Sequence, residues 1–273
     1  MPTPFLQIDA FADEPFGGNP AAVCLAPPDA RPADDLLQAV AAEMNLSETA
    51  FVTPIGGSAF GLRWFTPAIE VDLCGHATLA SAAAVWEWGL VARETPVEFR
   101  TRSGPLRCTQ ENGLIEVDLP AGPPAEAGAA VADAVAMVLG APARWVGVTP
   151  LRYLFAEVED EAAVASAAPD LGALRALPYV GLIVTAPAGE SRCDFVSRFF
   201  APAAGVDEDP VCGSAHGAMG PYWADRLGNA DLTAIQLSGR RGTLRVRPRG
   251  NRVRLAGRAV TVLRGELLVD LAG

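Results

Sequence analysis

Two cysteine–glycine pairs, Cys74-Gly75 and Cys212-Gly213, stand 138 positions apart, and each leads into an alanine-rich apolar stretch. If each pair opens a helix, the unpaired backbone N–H groups and partial positive charge of that end suit a carboxylate. The same placement lowers a thiol's pKa from about 8.5 toward neutrality. Two such ends facing across a cleft would hold an acid and stabilise the enolate-like charge that forms when a proton leaves beside it. Groups on opposite faces of one carbon could then remove a proton and return it, which is the chemistry of a cofactor-independent epimerase or proton-shift isomerase. Small residues at Gly75, Ala77, Gly213, Ser214 and Ala215 let backbone approach a ligand closely.

Four polar side chains sit by these pairs: His76, His216, Asp209 and Ser214. For His76, Asp209 and Ser214 the plainer alternative is capping of backbone donors. Glu48 is a fifth candidate, in Asn45-Leu46-Ser47-Glu48-Thr49-Ala50-Phe51. The register of the repeat sets Leu182 near its equivalent, so the carboxylate belongs to one half only; a solvated turn carboxylate is the plainer alternative.

These groups are positioned by a duplicated chain. Arg63-Trp64-Phe65-Thr66-Pro67-Ala68 returns 135 positions later as Arg198-Phe199-Phe200-Ala201-Pro202-Ala203. Because the Cys-Gly pairs are offset by 138, the second copy carries three extra residues near Val206 to Glu208. Each copy continues into an apolar stretch closing on glycine, Ala77 to Gly89 and Ala215 to Gly228. Two ordered matches at nearly one offset mark an internal repeat.

In the first half, strands are expected at Phe5 to Ala10, Ala21 to Ala26 and Glu48 to Thr53. Asp34 to Met44 has helical spacing, with Leu36, Leu37, Val40 and Met44 on one face. In the second, Tyr153 to Val158 and Val180 to Thr185 are expected strands and Glu161 to Leu177 largely helix. Leu119 to Gly128, rich in Pro, Gly and Ala, suggests a linker. Arginine-bearing strands are expected at 243–247, 252–256 and 259–263, with 264–273 packing back onto the first half. Ala77 to Val85 carries no charge, and a helix apolar all round is buried. The expected fold is α+β: two pseudo-symmetric domains, 1–118 and 129–263, each a barrel-like mixed or antiparallel sheet around a central helix.

Composition narrows the function. At 273 residues, half of them hydrophobic, the chain is long enough for two cores. A net charge of −11 disfavours binding to nucleic-acid phosphates. The basic stretch Arg240 to Arg258 alternates with apolar residues, as strands with a solvated face do. All 21 basic residues are arginine. Without lysine there is no Schiff base with pyridoxal phosphate and no Walker A loop. The start lacks a signal peptide's basic and apolar regions, and the run Ala77 to Trp86 is too short to span a bilayer, so a cytoplasmic location without membrane contact is expected. Five widely spaced cysteines then stay reduced; Cys24, Cys108 and Cys193 suit small apolar core positions.

Asp9-Ala10-Phe11 with Pro15-Phe16-Gly17-Gly18-Asn19-Pro20-Ala21-Ala22-Val23, the Asn45 to Thr49 segment, Asp72-Leu73-Cys74-Gly75-His76-Ala77-Thr78 and Glu208-Asp209-Pro210-Val211-Cys212-Gly213-Ser214-Ala215 together resemble the phenazine-biosynthesis (PhzF-like) isomerase family over nearly the whole chain. The resemblance implies the two-domain fold shared with diaminopimelate epimerase and proline racemase, a homodimer, and no cofactor. It implies that Glu48 transfers the proton while His76, Asp209 and Ser214 hold the substrate and assist. Gly75 and Gly213 would donate backbone N–H groups to a small acidic metabolite, with Asn19 and Ala215 beside them. The reaction implied is a double-bond shift with a proton moved along the substrate.

Other readings stay open. Cys74 and Cys212 occupy the places of the two catalytic thiols in amino-acid epimerases of this fold, though the residues after them here fit the PhzF-like pattern. Cys74, His76, Cys212 and His216 form a set that could hold zinc, although no metal is expected. A non-catalytic binder of an acidic metabolite is the remaining class.

Overall fold

A parallel pair of strands needs a long crossover between its members, and this chain makes the same series of crossovers twice in a computed structural model that describes residues 2–189 and 192–272. Two compact units result: Met1–Asp118 with Ala256–Gly273, and Leu119–Leu255.

In the first unit, Thr3–Ala10 pairs antiparallel with Asn19–Leu25. Helix α1 (Asp34–Met44) then returns the chain to Glu48–Gly56, parallel to Asn19–Leu25. A hairpin leads to Ala59–Phe65, followed by the short strand Glu70–Val71. Helix α2 (Gly75–Glu87) is the second crossover, ending at Val97–Thr101 parallel to Ala59–Phe65. Ala259–Leu267 closes the unit against Thr3–Ala10. Helix α2 packs on Thr3–Ala10, Asn19–Leu25 and Glu48–Gly56. It is buried on nearly every side, as the uncharged run Ala77 to Val85 requires, with its one carboxylate, Glu87, at the end. On α1, Leu37, Val40 and Ala41 close over Cys24, Phe51 and Phe65; each large side chain so buried contributes about 1.5–3 kcal/mol.

The second unit repeats the ladder. Helix α3 (Ala129–Leu139) precedes Trp145–Val148, which pairs antiparallel with Tyr153–Glu157. Helices α4 (Glu161–Ser166) and α5 (Leu171–Ala176) lead to the parallel strand Gly181–Pro187. Phe195–Ala201, Val206–Asp209 and helix α6 (Gly213–Leu227) follow, and Leu232–Gln236 lies parallel to Phe195–Ala201. Leu154, Leu174, Leu182, Val184 and Phe200 are buried in its core.

The repeat extends to side chains. Arg63 Nε and Nη2 donate to the two carboxylate oxygens of Glu70 at 2.7 Å. Arg198 grips Glu208 the same way, at 2.7 and 2.8 Å. Each guanidinium also lies over the phenylalanine two residues on, 5.1 Å from the Phe65 ring and 4.8 Å from Phe200. Ser103 Oγ donates to the Asp72 carbonyl and Ser238 Oγ to that of Pro210, both at 2.6 Å.

Four expectations change. Residues 119–128 are built into the second unit: Leu119 is buried, Ala121 N–H bonds Asn251 and Gly122 N–H bonds Gly217, so backbone pairing overrides a linker-like composition. Residues 256–263 belong to the first unit, because Ala259–Leu267 pairs with Thr3–Ala10. The helical stretch from Glu161 splits in two at Pro169, where Asp170 caps a new start by accepting from Ala173 N–H. Helix α3 was not anticipated, although its single charge, Asp133, lies on its exposed side.

The ladders also move the counterpart of Glu48. Glu48 faces Ala21 across its parallel pair, and Thr49 faces Phe65. In the second unit Tyr153 faces Gly181, and Leu182 faces Phe200. Phe65 and Phe200 are repeat equivalents, so Gly181 rather than Leu182 holds the place of Glu48. A Cβ at Gly181 would meet the Phe200 carbonyl oxygen at 2.6 Å and the Phe199 ring at 2.9 Å.

Candidate active site

Cys74 is extended (φ −141°) and Gly75 begins α2, so His76 lies in the helix's first turn. Its imidazole is buried between two partners. Asn19 Nδ2 is 3.1 Å from His76 Nδ1, and Glu48 Oε2 is 3.2 Å from His76 Nε2. Asn19 is wholly buried on its strand. Glu48 heads the neighbouring strand with 17 % of its side chain exposed. An amide nitrogen only donates, so Nδ1 accepts and the ring's proton sits on Nε2, the nitrogen nearer the carboxylate. Burial keeps this imidazole neutral, with its pKa pushed down to about 3. Cys74 Sγ lies 3.5 Å from the same Nδ1. Hydroxyls in this apolar helix bond back along it, Thr78 to the Cys74 carbonyl and Ser81 to that of Ala77. The Cys74 side chain makes no cap hydrogen bond at the helix start.

In the second unit Cys212 precedes α6 and its side chain likewise makes no cap bond. Ser214 Oγ lies 3.3 Å from Cys212 Sγ and 3.0 Å from the Tyr153 hydroxyl. The three extra residues of this copy lengthen Glu70–Val71 into the four-residue strand Val206–Asp209, with Asp209 at its end. Asp209 Oδ1 accepts from Val211 N–H at 3.2 Å, a local turn bond. Gln236 is fully buried and spans the approach to the helix: its amide donates to the Asp209 carbonyl at 2.6 Å and its oxygen accepts from Cys212 N–H at 3.0 Å. His216 Nδ1 bonds the Cys212 carbonyl at 2.7 Å, and burial lowers its pKa to about 4.

The expected residues therefore gather at two helix starts. Glu48, His76, Cys74, Gly75 and Asn19 meet at α2; Asp209, Cys212, Gly213, Ser214 and Ala215 meet at α6. Asn19, expected beside the substrate, is wholly buried and bonded to the His76 ring. Ser214 bonds Tyr153 and Cys212 rather than capping its helix. Gln236 and Tyr153 were not anticipated. The pair Gln236-Leu237-Ser238-Gly239 and Thr101-Arg102-Ser103-Gly104, a further echo of the repeat, was the signal for the first.

The zinc reading fares poorly on chemistry. Glu48, Cys74 and His76 do converge within 4.8 Å. However, Cys74 faces Nδ1 while Glu48 faces Nε2, and one imidazole cannot give both nitrogens to one ion. His216 spends Nδ1 on a backbone carbonyl. Cys24 and Cys108 are buried in the core, which pushes Cys24 up to about 12 and raises Cys108 as well. Cys193 is half-buried and packs on the second core. No helix among the described residues is long and apolar enough to cross a membrane.

Known proteins agree with this architecture. An uncharacterized isomerase of Pseudomonas aeruginosa is 49 % identical, with 98 % of this chain and 99 % of that protein covered. The crystal structure of a PhzF-family phenazine biosynthesis protein from Enterococcus faecalis superposes with a TM-score of 0.90 at 41 % identity, covering 98 % of this chain and all of that one. A probable proline racemase from Agrobacterium radiobacter, 12 % identical with a TM-score of 0.63, covering 98 % of this chain and 93 % of that one, shares the fold. The sequence profile of the phenazine biosynthesis-like proteins (PhzC-PhzF) matches residues 8–265. With its duplicated ladder and its two Cys-Gly helix starts, the chain belongs to the phenazine biosynthesis-like family, the PhzF-like isomerases.

Proposed function

We propose that the chain is a cofactor-independent isomerase that moves a proton on a small carboxylate-bearing metabolite, with Glu48 as the acid–base group. The contact between Glu48 Oε2 and the neutral His76 Nε2–H, 3.2 Å long at the start of α2, carries this reading. As an anion, Glu48 takes the C–H proton; the electron pair delocalises toward the substrate carboxylate, where helix-start N–H groups favour the charge. The protonated Glu48, whose carboxyl proton exchanges with solvent while the intermediate is held, then gives a proton to another carbon, so the double bond shifts and no atom is gained or lost. The Nε2–H orients the carboxylate and stabilises its charged form between turnovers. Asp209 and Ser214 assist, as the family resemblance implies, and Gly75, Gly213 and Ala215 give backbone room for the acid.

Proton exchange tests this. Incubating the protein in deuterated water with a panel of β,γ-unsaturated and α-amino carboxylates should deuterate at least one, read by proton NMR. Glu48→Gln should slow that exchange by roughly 10² to 10⁴, the usual contribution of such a group. A two-thiol epimerase built on Cys74 and Cys212 is the second reading, favoured by the occurrence of a thiol at both helix starts. It gives the opposite result: Cys74→Ala abolishes exchange and Glu48→Gln spares it. Tight binding of an acid without exchange of any proton would leave a non-catalytic binder.

A further inference from the structure

Tyr153 has no part in the mechanism above, yet its hydroxyl reaches the head of α6. Three observations fix it there. The preceding residue, Arg152, adopts a left-handed conformation (φ 61°), and Thr149 binds Tyr153 twice: Thr149 N–H to the Tyr153 carbonyl at 2.9 Å and Thr149 Oγ1 to the Tyr153 N–H at 3.1 Å. The ring leans on Phe199, with centroids 4.8 Å apart. The hydroxyl then lies 3.0 Å from Ser214 Oγ, which itself lies 3.3 Å from Cys212 Sγ.

The ladder register shows what this group replaces. In the first unit Ala21 pairs with Glu48; at the equivalent rung of the second, Tyr153 pairs with Gly181. One copy carries a small residue beside a carboxylate, and the other a phenol beside a residue with no side chain. Each places one polar group within hydrogen-bond distance of the residue that follows Cys-Gly: Glu48 at His76, and Tyr153 at Ser214.

We propose that Tyr153 is a positioning residue for the proton transfer, acting through Ser214. A phenol is a stronger proton donor than an aliphatic hydroxyl, so Tyr153 donates and Ser214 Oγ accepts. Ser214 is then committed to directing its own proton elsewhere, toward a bound oxyanion or Cys212 Sγ. Where Glu48 exchanges a proton, Tyr153 keeps its own and sets a neighbour's direction. This rests on the proton-shift reading.

The test compares wild type, Tyr153→Phe, Ser214→Ala and the double variant in the deuterium-exchange assay, on whichever panel acid wild type exchanges. Tyr153→Phe keeps the ring and its Phe199 contact. The expected result is a kcat reduced roughly 10-fold, KM within twofold, and an unchanged melting temperature, the fold-change being that of one lost hydrogen bond of about 1.4 kcal/mol. The double variant should be no slower than Ser214→Ala alone, because the phenol acts only through that serine. Wild-type kinetics in Tyr153→Phe, or losses that multiply in the double variant, would overturn the inference while leaving Glu48 in place. If wild type exchanges no proton on any acid, the parent reading falls and takes this one with it.

Discussion

Asn19 Nδ2 approaches His76 Nδ1 to 3.1 Å, and this contact decides which nitrogen of the imidazole bears hydrogen. With Nδ1 accepting, the proton is on Nε2, the side where Glu48 stands at 3.2 Å. Long-range proton–nitrogen NMR at pH 7 should show His76 as the neutral Nε2–H tautomer. Asn19→Ala leaves Nδ1 buried without its amide donor and should cost about 1–3 kcal/mol in stability. An Nδ1–H tautomer in wild type would contradict the assignment.

Both histidines also tie stability to pH. Burial holds His76 near 3 and His216 near 4, whereas the unfolded chain takes up their protons near 6.5. As pH falls below about 6.5 the unfolded state gains protons that the folded state refuses, so stability drops until the folded values are reached. Each histidine contributes a slope of about 1.4 kcal/mol per pH unit between about 6 and 4.5. Glu48, poised to favour an imidazolium at His76, works against this there, so His216 is the cleaner case. Urea midpoints across this range should fall, and His216→Asn should flatten the slope by about one proton. An unaltered slope in the variant would remove His216 from the account.

Gly181→Ala adds one methyl where the Phe200 carbonyl and the Phe199 ring leave no room. Crowding of this kind costs about 1–3 kcal/mol. Thermal unfolding should register it as a drop of several degrees; an unchanged melting point would mean the strand relaxes easily.

The repeated arginine–glutamate forks make a matched pair of predictions. Arg63 and Arg198 are mostly buried, with side chains 30 % and 15 % exposed, and each holds a glutamate by two bonds. Arg63→Ala and Arg198→Ala each take a two-bond partner from that carboxylate, although Glu70 keeps Arg102 at 2.7 Å, and each removes a guanidinium stacked on phenylalanine. Each should cost about 1–3 kcal/mol. Arg198→Ala should cost more, because its guanidinium also donates to the Ala167 carbonyl at 2.6 Å, whereas the further partner of Arg63, Asp34, is exposed and Glu70 keeps Arg102. Equal losses in the two would refute that ordering.

The duplication was legible because the arginines, phenylalanines and Cys-Gly pairs that build each copy stayed in place while the residues between them changed. The crossover α1 was legible down to its bounds because one apolar face and a polar opposite face mark it. Helix α3 was not, since residues apolar nearly all round give little periodic contrast. The counterpart of Glu48 was misplaced by one residue because spacing between strands differs between the copies, and only hydrogen-bond pairing reveals it. Gln236 and Tyr153 act on partners 24 and 61 positions away, contacts that no local pattern announces. Glu48 was named from the Asn45 to Thr49 segment and His76, Asp209 and Ser214 from the two Cys-Gly motifs, and the fold sets Glu48 against His76 at one helix start and Asp209 and Ser214 at the other. The burial of Asn19 against the His76 ring was not legible.

The crowding around Gly181 gives divergence between the halves a direction. An ancestral half carried in duplicate would have offered the same side chain to both helix starts. With Phe199 and the Phe200 backbone closed over position 181, a carboxylate there would have to push both aside, because the space for its first carbon is filled. The asymmetry works as a ratchet: later change can refine Tyr153 or Glu48 separately, but a return to two equivalent halves would require the neighbouring strand to be rebuilt first.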